Sequence, residues 1–515
     1  MVSLDYISEV VGMPIPKEIL AVERPRNTVV IAYGKNKDRY AVRKRVGCRN
    51  EGGRHLPVNG PTVGHIVGGE YVPLPDPGPG PVSSAGFELK GWACFELCER
   101  AAGDLLGELE AVYDARDAAK AWCIAVLRVC EPGVRDCELK AAYEESWLSE
   151  ARPGVALSRN TVSKFLGDLG KARSRVAAFM RSRAAAVRAD HHLLVDGTLK
   201  SDESSVNTLS DFSYKSRVKG SRDISVMYAF DLDGMEPVCS EAFPGNMLDM
   251  TSYEAFIRDN GITRGLIVAD KGIPASAARA QFASNPDLHY LNPVKRNSKL
   301  IATHSMLDFE GVLPGWEGVL FKKDRVNGRG KWLYAYRDAA RAAKEEHDWI
   351  ERARAKGDYD LAKLRSRQRA FGTVVLESDL DIDPAAAYRA YSERWNIEVS
   401  MRYYKSALEF DETRVHDDYS VIGSELCDFL STVITWRLIN LFRDAGLLEK
   451  MTYGKVMKIL RRAKRVKVDG GEWELVRTAP SAMEVLQALE LVPKPENPPK
   501  RKRGRPRKAE AGKGV

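Results

Sequence analysis

Apolar and polar positions change rhythm several times along the chain, and each change predicts a different kind of structure. From Thr28 to Gly47, TVVIAYGKNKDRYAVRKRVG reads as two β-rich runs around a polar Gly-Lys-Asn-Lys-Asp turn. This is a hairpin with basic residues along its second run, suited to phosphates and equally to a plain solvated face. Residues 68–87, GGEYVPLPDPGPGPVSSAGF, are dense in Pro and Gly and predict a linker. From 88 to about 188 the spacing is helical. There Ser158 stands where it caps a helix carrying Arg159, Asn160, Thr161, Ser163 and Lys164, residue types that suit phosphate and base-edge contacts. Many all-α domains carry the same pattern without touching DNA.

At His191 the period shortens. HHLLVDGTLK, RDISVMYAFDLDG and EPVCSEAF are β-type runs before the helix-like YEAFIRDNG, and RGLIVADKG and LHYLNPVKR follow it. Strands first, then alternation with helices, predict a mixed α/β domain. GVLFKKDRVNGRGKWLYAYRD, a charged helical run to about 368 and FGTVVLESD look like an insertion at about 293–383. Pro384 suits the first turn of a long helix, and helices continue through FLSTVITWRLINLF to about Leu489. The tail 491–515 has no apolar period and is expected to be disordered when unbound.

Composition narrows the class. With 515 residues, 44% of them hydrophobic, two or three domains with real cores are expected. A formal charge of +8 makes an acidic polymer a reasonable partner. No run approaches the roughly 18 apolar residues of a membrane span, and MVSLDYISEV lacks a basic n-region, so a cytoplasmic protein is expected. The eight cysteines include no C-x-x-C pair and fit reduced thiols. Cys94 and Cys98 with Cys123, Cys130 and Cys137 suggest zinc, but ordinary buried thiols are the preferred reading.

The chemistry is concentrated in YSERWNIEVSMRYYK. On a helix Tyr391, Arg394, Glu398 and Lys405 fall within roughly a 60° arc of one face. Arg394 and Glu398 alone would be an ordinary i,i+4 pair. Two isolated aspartates, each ending an apolar run, change that picture: Asp196 in LLVD and Asp270 in LIVAD. A carboxylate at a buried strand end is costly unless it is paired or holds a cation, and such strand ends are where α/β sites form. Asp196, Asp270 and Glu398 make a hard-oxygen set suited to Mg²⁺ or Mn²⁺. Two such ions would activate a water or 3′-hydroxyl at a phosphodiester. Arg394 and Lys405 would then neutralise nearby phosphates, and Tyr391 would bond a phosphate or stack on a base.

The pattern Y-x2-R-x3-E-x6-K, complete at Tyr391, Arg394, Glu398 and Lys405, resembles the signature of one branch of insertion-sequence DDE transposases with a ribonuclease-H-like core. LLVDGT and LIVADKGI resemble that family's two aspartate strands, GNMLD resembles a segment before the intervening helix, and the long gap before Glu398 suits the branch's β-rich insertion. The resemblance spans roughly 190–445. It implies end cleavage and strand transfer on double-stranded DNA by a homodimer, with Asp196, Asp270 and Glu398 as catalytic ligands of two Mg²⁺ or Mn²⁺ ions. Over 1–190 there is only a general similarity to the family's DNA-binding region, and the organisation read along the chain is a DNA-binding β segment at 1–67, the linker 68–87, and a helical DNA-binding region at 88–188 with a helix-turn-helix candidate. After these come a catalytic domain at 189–450, a helical region at 451–490 and the tail.

Other acids carry quieter readings. Asp231 and Asp233 precede Gly234 in a hairpin turn, Asp379, Asp381 and Asp383 sit in a polar loop, Asp249 caps a helix, and His191 and His192 are packing or surface residues. In the tail, Arg503-Gly504-Arg505-Pro506 resembles an AT-hook, whose arginines would enter an A·T minor groove; the alternative is a solvated basic tail. Two rivals to a transposase remain: a transposase-derived DNA-binding protein without strand transfer, and a metal-dependent nuclease that only hydrolyses.

Overall fold

The computed structural model describes residues 15–34, 38–51, 54–74, 86–202, 204, 206–213, 220–247, 249–269, 278–326, 330–394, 411–413 and 415–494. The chain divides into two compact units, 1–87 with 468–470, and the remainder.

In the first unit a short helix α1 (Lys17–Ala21) precedes a four-stranded antiparallel sheet in the order β1 (Thr28–Tyr33), β2 (Arg39–Glu51), β3 (Arg54–Val67), β4 (Glu70–Pro73). The expected hairpin is β1 and β2, with Val30 opposite Val42. These two residues and Ile66 form a small core. The linker expectation needs correcting at its start, because 70–73 is the strand β4, paired with β3. Gly68 and Gly69, both at positive φ, make the tight turn between them, a backbone path that most side chains resist. The same dipeptide had suggested a linker.

The second unit opens with β5 (Phe87–Gly91) and a set of helices: α2 (Ala93–Ala102), α3 (Asp104–Glu110), α4 (Ala115–Cys130), α5 (Leu139–Glu144), α6 (Leu148–Ala151), α7 (Arg159–Lys171) and α8 (Arg173–Ala186). Then follow β6 (His192–Ser201), β7 (Asp211–Phe212), β8 (Arg222–Asp231), β9 (Glu236–Pro244), α9 (Asp249–Asp259), β10 (Arg264–Ala269), α10 (Arg279–Ser284) and β11 (Asp287–Pro293). Three of the four strands before α9, namely β6, β8 and β9, and the two after it are those the alternation predicts, and the two-residue β7 is an addition. β6 runs antiparallel to β8, β8 to β9, and β10 lies parallel to both β6 and β11. The strand order is therefore β9-β8-β6-β10-β11, with β6 central.

The expected insertion supplies α11 (Lys299–Thr303), β12 (Gly311–Val312), β13 (Val319–Val326), β14 (Lys331–Asp338), α12 (Ala339–Ala355), α13 (Leu361–Gln368) and β15 (Thr373–Ser378). Its strands do not form a sheet of their own. β15 pairs antiparallel with β11 and continues the central sheet through β14, β13 and β12. This covers an edge that would otherwise present unpaired backbone groups. Helix α14 occupies 384–394 of the described residues, and α15 (Asp418–Asp444) follows. The chain continues through α16 (Tyr453–Arg462), β16 (Lys464–Val468), β17 (Glu474–Leu475) and α17 (Pro480–Ala488), so the C-terminal region expected to be helical also holds a short ladder.

Helix α15 organises this unit. Asp417 accepts backbone N–H bonds from Tyr419 and Ser420 at its start, and most of its length is buried, as expected of a helix apolar on nearly all sides. One continuous core runs from Trp92 through the sheet to Leu491. The boundary read near residue 188 is thus a change of secondary structure and not a break in packing. Helices α7 and α15 cross at two glycines. A Cβ on Gly170 would lie 1.8 Å from the Tyr419 carbonyl oxygen, and one on Gly423 would lie 2.0 Å from that of Leu166. Gly423→Ala is therefore expected to cost about 1–3 kcal/mol in urea unfolding. Gly107→Ala, at an exposed position of α3 with nothing within 4 Å of the added Cβ, should gain about 0.5–1 kcal/mol.

On β9, the half-buried Glu241 accepts a hydrogen bond from Asn260 at 2.7 Å. Burial raises its pKa from 4.5 to about 7. A carboxyl whose folded pKa is raised contributes stability below its unfolded pKa and loses it as pH climbs through the folded one. Stability should therefore fall between pH 4.5 and about 7, and Glu241→Gln should flatten that slope in thermal melts across the window.

Candidate active site

Asp196 lies inside β6, not at its end, since the strand runs on to Ser201. What ends near it is a neighbour: the parallel pairing with β10 stops at Ala269 opposite Val195. Apolar residues before Asp196 had marked the end of two-sided burial, which in sequence looks the same as the end of a strand. Asp196 is half-buried, stands opposite Tyr228 on β8, and accepts a hydrogen bond from Gly197 N at 2.8 Å.

Alternation places Asp196 on the same side of β6 as Leu194 and Lys200. Leu194 belongs to one apolar cluster with Leu266 and Val268 of β10 and with Ala387, Tyr388, Ala390 and Tyr391 of α14. The sheet face that carries Asp196 is thus the face against which α14 lies. Pro384 begins that helix, and Asp383 accepts from Ala386 N at its first turn.

Tyr391 and Arg394 are both on α14 and both buried, each 7% exposed. The guanidinium of Arg394 lies over the Tyr391 ring, 5.2 Å from its centroid. In this structure both side chains face the protein interior. Asp270, Glu398 and Lys405 lie outside the described residues, as do Arg503, Gly504, Arg505 and Pro506. On α7, Arg159, Asn160 and Lys164 are exposed, and Lys164 pairs with Asp168 at 2.6 Å. Ser158 occupies the N-cap, but its hydroxyl meets that of Thr161 at 2.8 Å in place of a backbone N–H.

Beside Asp196, four residues along β6, is a buried ionic cluster that the sequence reading missed. Lys200 donates to Glu425 at 2.6 Å and to Asp428 at 2.8 Å, and Arg128 of α4 donates to Asp428 at 2.7 Å. All four are at most 9% exposed. Burial pushes both carboxyls up, yet Lys200 and Arg128 together hold Asp428 below the usual carboxylate range. In Glu425, burial and the neighbouring Asp428 outweigh Lys200, and its pKa is raised. The missed signal was two acids three apart in the apolar run SELCDFL.

The acids given quieter readings have structural partners. Asp231 accepts from Asp233 N and Gly234 N in the β8–β9 turn, and His191 and His192 meet Asp231 and Asp233 at 2.7 and 3.0 Å. His191, Asp231 and Asp233 are close enough to share an ion. Asp379 accepts from Tyr290 N, and Asp381 pairs with Lys323.

The described residues thus form a large mixed sheet with an acid, Asp196, on its central strand and helix α14 against one face. Residues 189–420 match the family described as the transposase DDE domain, and the chain carries a domain of that family. Among solved structures the chain is similar to the piggyBac transposase synaptic complex with hairpin DNA, at 11% identity over 72% of this chain and 78% of that one, with a TM-score of 0.37. A likeness that distant leaves the assignment resting on residues 189–420. No curated protein matches. Among the described residues no helix is long and apolar enough to cross a membrane.

Proposed function

We propose that the protein cleaves the ends of an insertion sequence and joins the freed 3′-hydroxyls to target DNA, with Asp196, Asp270 and Glu398 holding two Mg²⁺ or Mn²⁺ ions. The observation that carries this is the register of the central strands. Ala269 is opposite Val195 and Val268 opposite Leu194, so the parallel pairing runs up to the residue that precedes each of the two aspartates in sequence. Helix α14 lies on the same face, and Glu398 follows Arg394 by one turn of sequence. Three carboxylates, Asp196, Asp270 and Glu398, would make an all-oxygen donor set of the kind hard divalent ions take. The strand order around β6, with three antiparallel strands and then two parallel, supports a ribonuclease-H-like core.

Bound there, two divalent ions would supply a nucleophile at neutral pH and stabilise the leaving oxygen of an in-line displacement. The chain itself has narrower tasks. Asp196 is held in orientation by its strand and by the Gly197 N–H. Tyr391 and Arg394, both buried, hold α14 in place through residue 394. Arg159, Asn160 and Lys164 on α7, Lys405, and the tail residues Arg503, Gly504, Arg505 and Pro506 are assigned to DNA, with a homodimer as the working assembly.

End-containing duplex in one assay, and pre-cut ends with a target plasmid in another, test this with Mg²⁺ present. The proposal expects both cleavage and joined product. Cleavage without joining would leave a hydrolytic nuclease, and DNA retention without either would leave a DNA-binding descendant of a transposase.

A further inference from the structure

Cys94, Cys98 and Cys130 converge in the helical part of the second unit. Cys94 and Cys98 are four apart on α2 and so share a face, and Cys130 is the last residue of α4. Their sulfurs all lie within 4.8 Å of one another. Cys98 Sγ is 3.8 Å and Cys94 Sγ 2.8 Å from Cys130 Sγ. All three are at most 1% exposed.

We propose that these three cysteines form a binding site for a single thiophilic closed-shell metal ion, of the Cu⁺ or Zn²⁺ kind, which ties α2 to α4. Three sulfurs around one ion at bonds of about 2.3 Å stand roughly 3.8–4.0 Å apart, from tetrahedral to planar three-coordinate geometry. Cys98 and Cys130 already have that spacing, and Cys94 reaches it by moving about 1 Å. Thiolate ligands select soft ions over Mg²⁺ or Mn²⁺, so this site is chemically separate from the carboxylates of the DDE domain. Buried thiolates also need positive charge nearby. Arg461 of α16, whose guanidinium bonds the Cys130 and Val129 carbonyl oxygens, lies close enough to Cys94 to act on its charge. Among the described residues no fourth His, Cys or carboxylate joins the group. Three donors match three-coordinate Cu⁺, whereas structural Zn²⁺ takes four. On binding, the three thiols release three protons to solvent and no electron is transferred.

The test uses the reduced full-length protein without oxygen, with Cu⁺ alone in one arm and Zn²⁺ alone in the other. The expected result is one ion per chain, an ultraviolet thiolate-to-metal absorption and a rise in Tm, since the ion binds the folded state. Cys98→Ala should weaken binding by at least about tenfold, while Cys239→Ala, an equally buried thiol on β9, should bind as the unaltered protein does. Should Cys98→Ala fail to fold, X-ray absorption of the unaltered protein at the metal edge counts the sulfur neighbours directly, and three are expected. Retention of neither ion, oxygen or nitrogen neighbours in place of sulfur, or a Cys94–Cys130 disulfide that persists in the presence of metal would overturn the site.

Discussion

Asp196→Asn should lower cleavage of end-containing DNA by at least about two to three orders of magnitude, the scale on which one preorganised electrostatic partner acts in a transition state. The folded protein should survive the change. Asparagine has the same shape and keeps an oxygen to accept from Gly197 N, the 2.8 Å bond that orients the side chain. It lacks the charge that a divalent ion requires. The residue is only half-buried and its side-chain bond is kept, so unfolding in urea should shift by no more than about 0.5 kcal/mol. Asp270→Asn and Glu398→Gln should behave alike. Near-normal cleavage by any of the three would remove that residue from the ligand set.

The largest loss of stability is expected at Asp428. Removing one member of a buried ion pair leaves a charge without compensation, at about 3–5 kcal/mol. Asp428→Ala does this twice over, because Lys200 and Arg128 both depend on it. Glu425→Gln should cost much less. Its pKa is raised in the folded protein, which marks Glu425 as the carboxyl whose charge the fold supports less. Urea unfolding of the two variants side by side tests the ranking, and equal losses would refute it. Asp428 also gives a pH signature. A carboxyl held low in the folded state contributes stability above its unfolded pKa and loses it as pH falls through the folded one. The acid limb of the stability profile should therefore be shallower in Asp428→Ala than in the unaltered protein.

Much of the second unit was legible because its strands are buried on both faces and read as apolar runs. LLVD, DISVMYAFD and LIVA fall in β6, β8 and β10, and YEAFIRD falls in α9. The helix after Pro384 could be read from a fixed φ at its first turn. Less legible was everything decided by partners distant in sequence. Whether β15 would start a new sheet or join β11 depends on an edge that only the folded chain presents. The single core shared by α2, α4, α7 and α15 depends on Gly170 and Gly423 meeting backbone carbonyls across some 250 residues of sequence. β4 was hidden because Gly68-Gly69 suits a hairpin turn and a linker equally.

The candidate site shows the same division. Local chemistry picked out Asp196, while its place within a strand, beyond the last β10 pair, needed the register. Tyr391 and Arg394 were correctly placed on one helix, but helical periodicity says which residues share a face and not what that face meets. Tyr391 joins the apolar cluster that holds Leu194, Val268 and Leu376. The cluster of Lys200, Glu425, Asp428 and Arg128 joins three elements, so no local pattern held all of it.

The central claim is that Asp196, Asp270 and Glu398 hold divalent metal together. Iron-directed backbone cleavage tests it most directly: Fe²⁺ with ascorbate is added to the full-length protein, and the cut positions are mapped with and without excess Mg²⁺. The account predicts cuts clustered near residues 196, 270 and 398, suppressed together by Mg²⁺ and absent in Asp196→Asn. Cuts centred instead on His191, Asp231 and Asp233, the other group able to share an ion near the sheet, would contradict it.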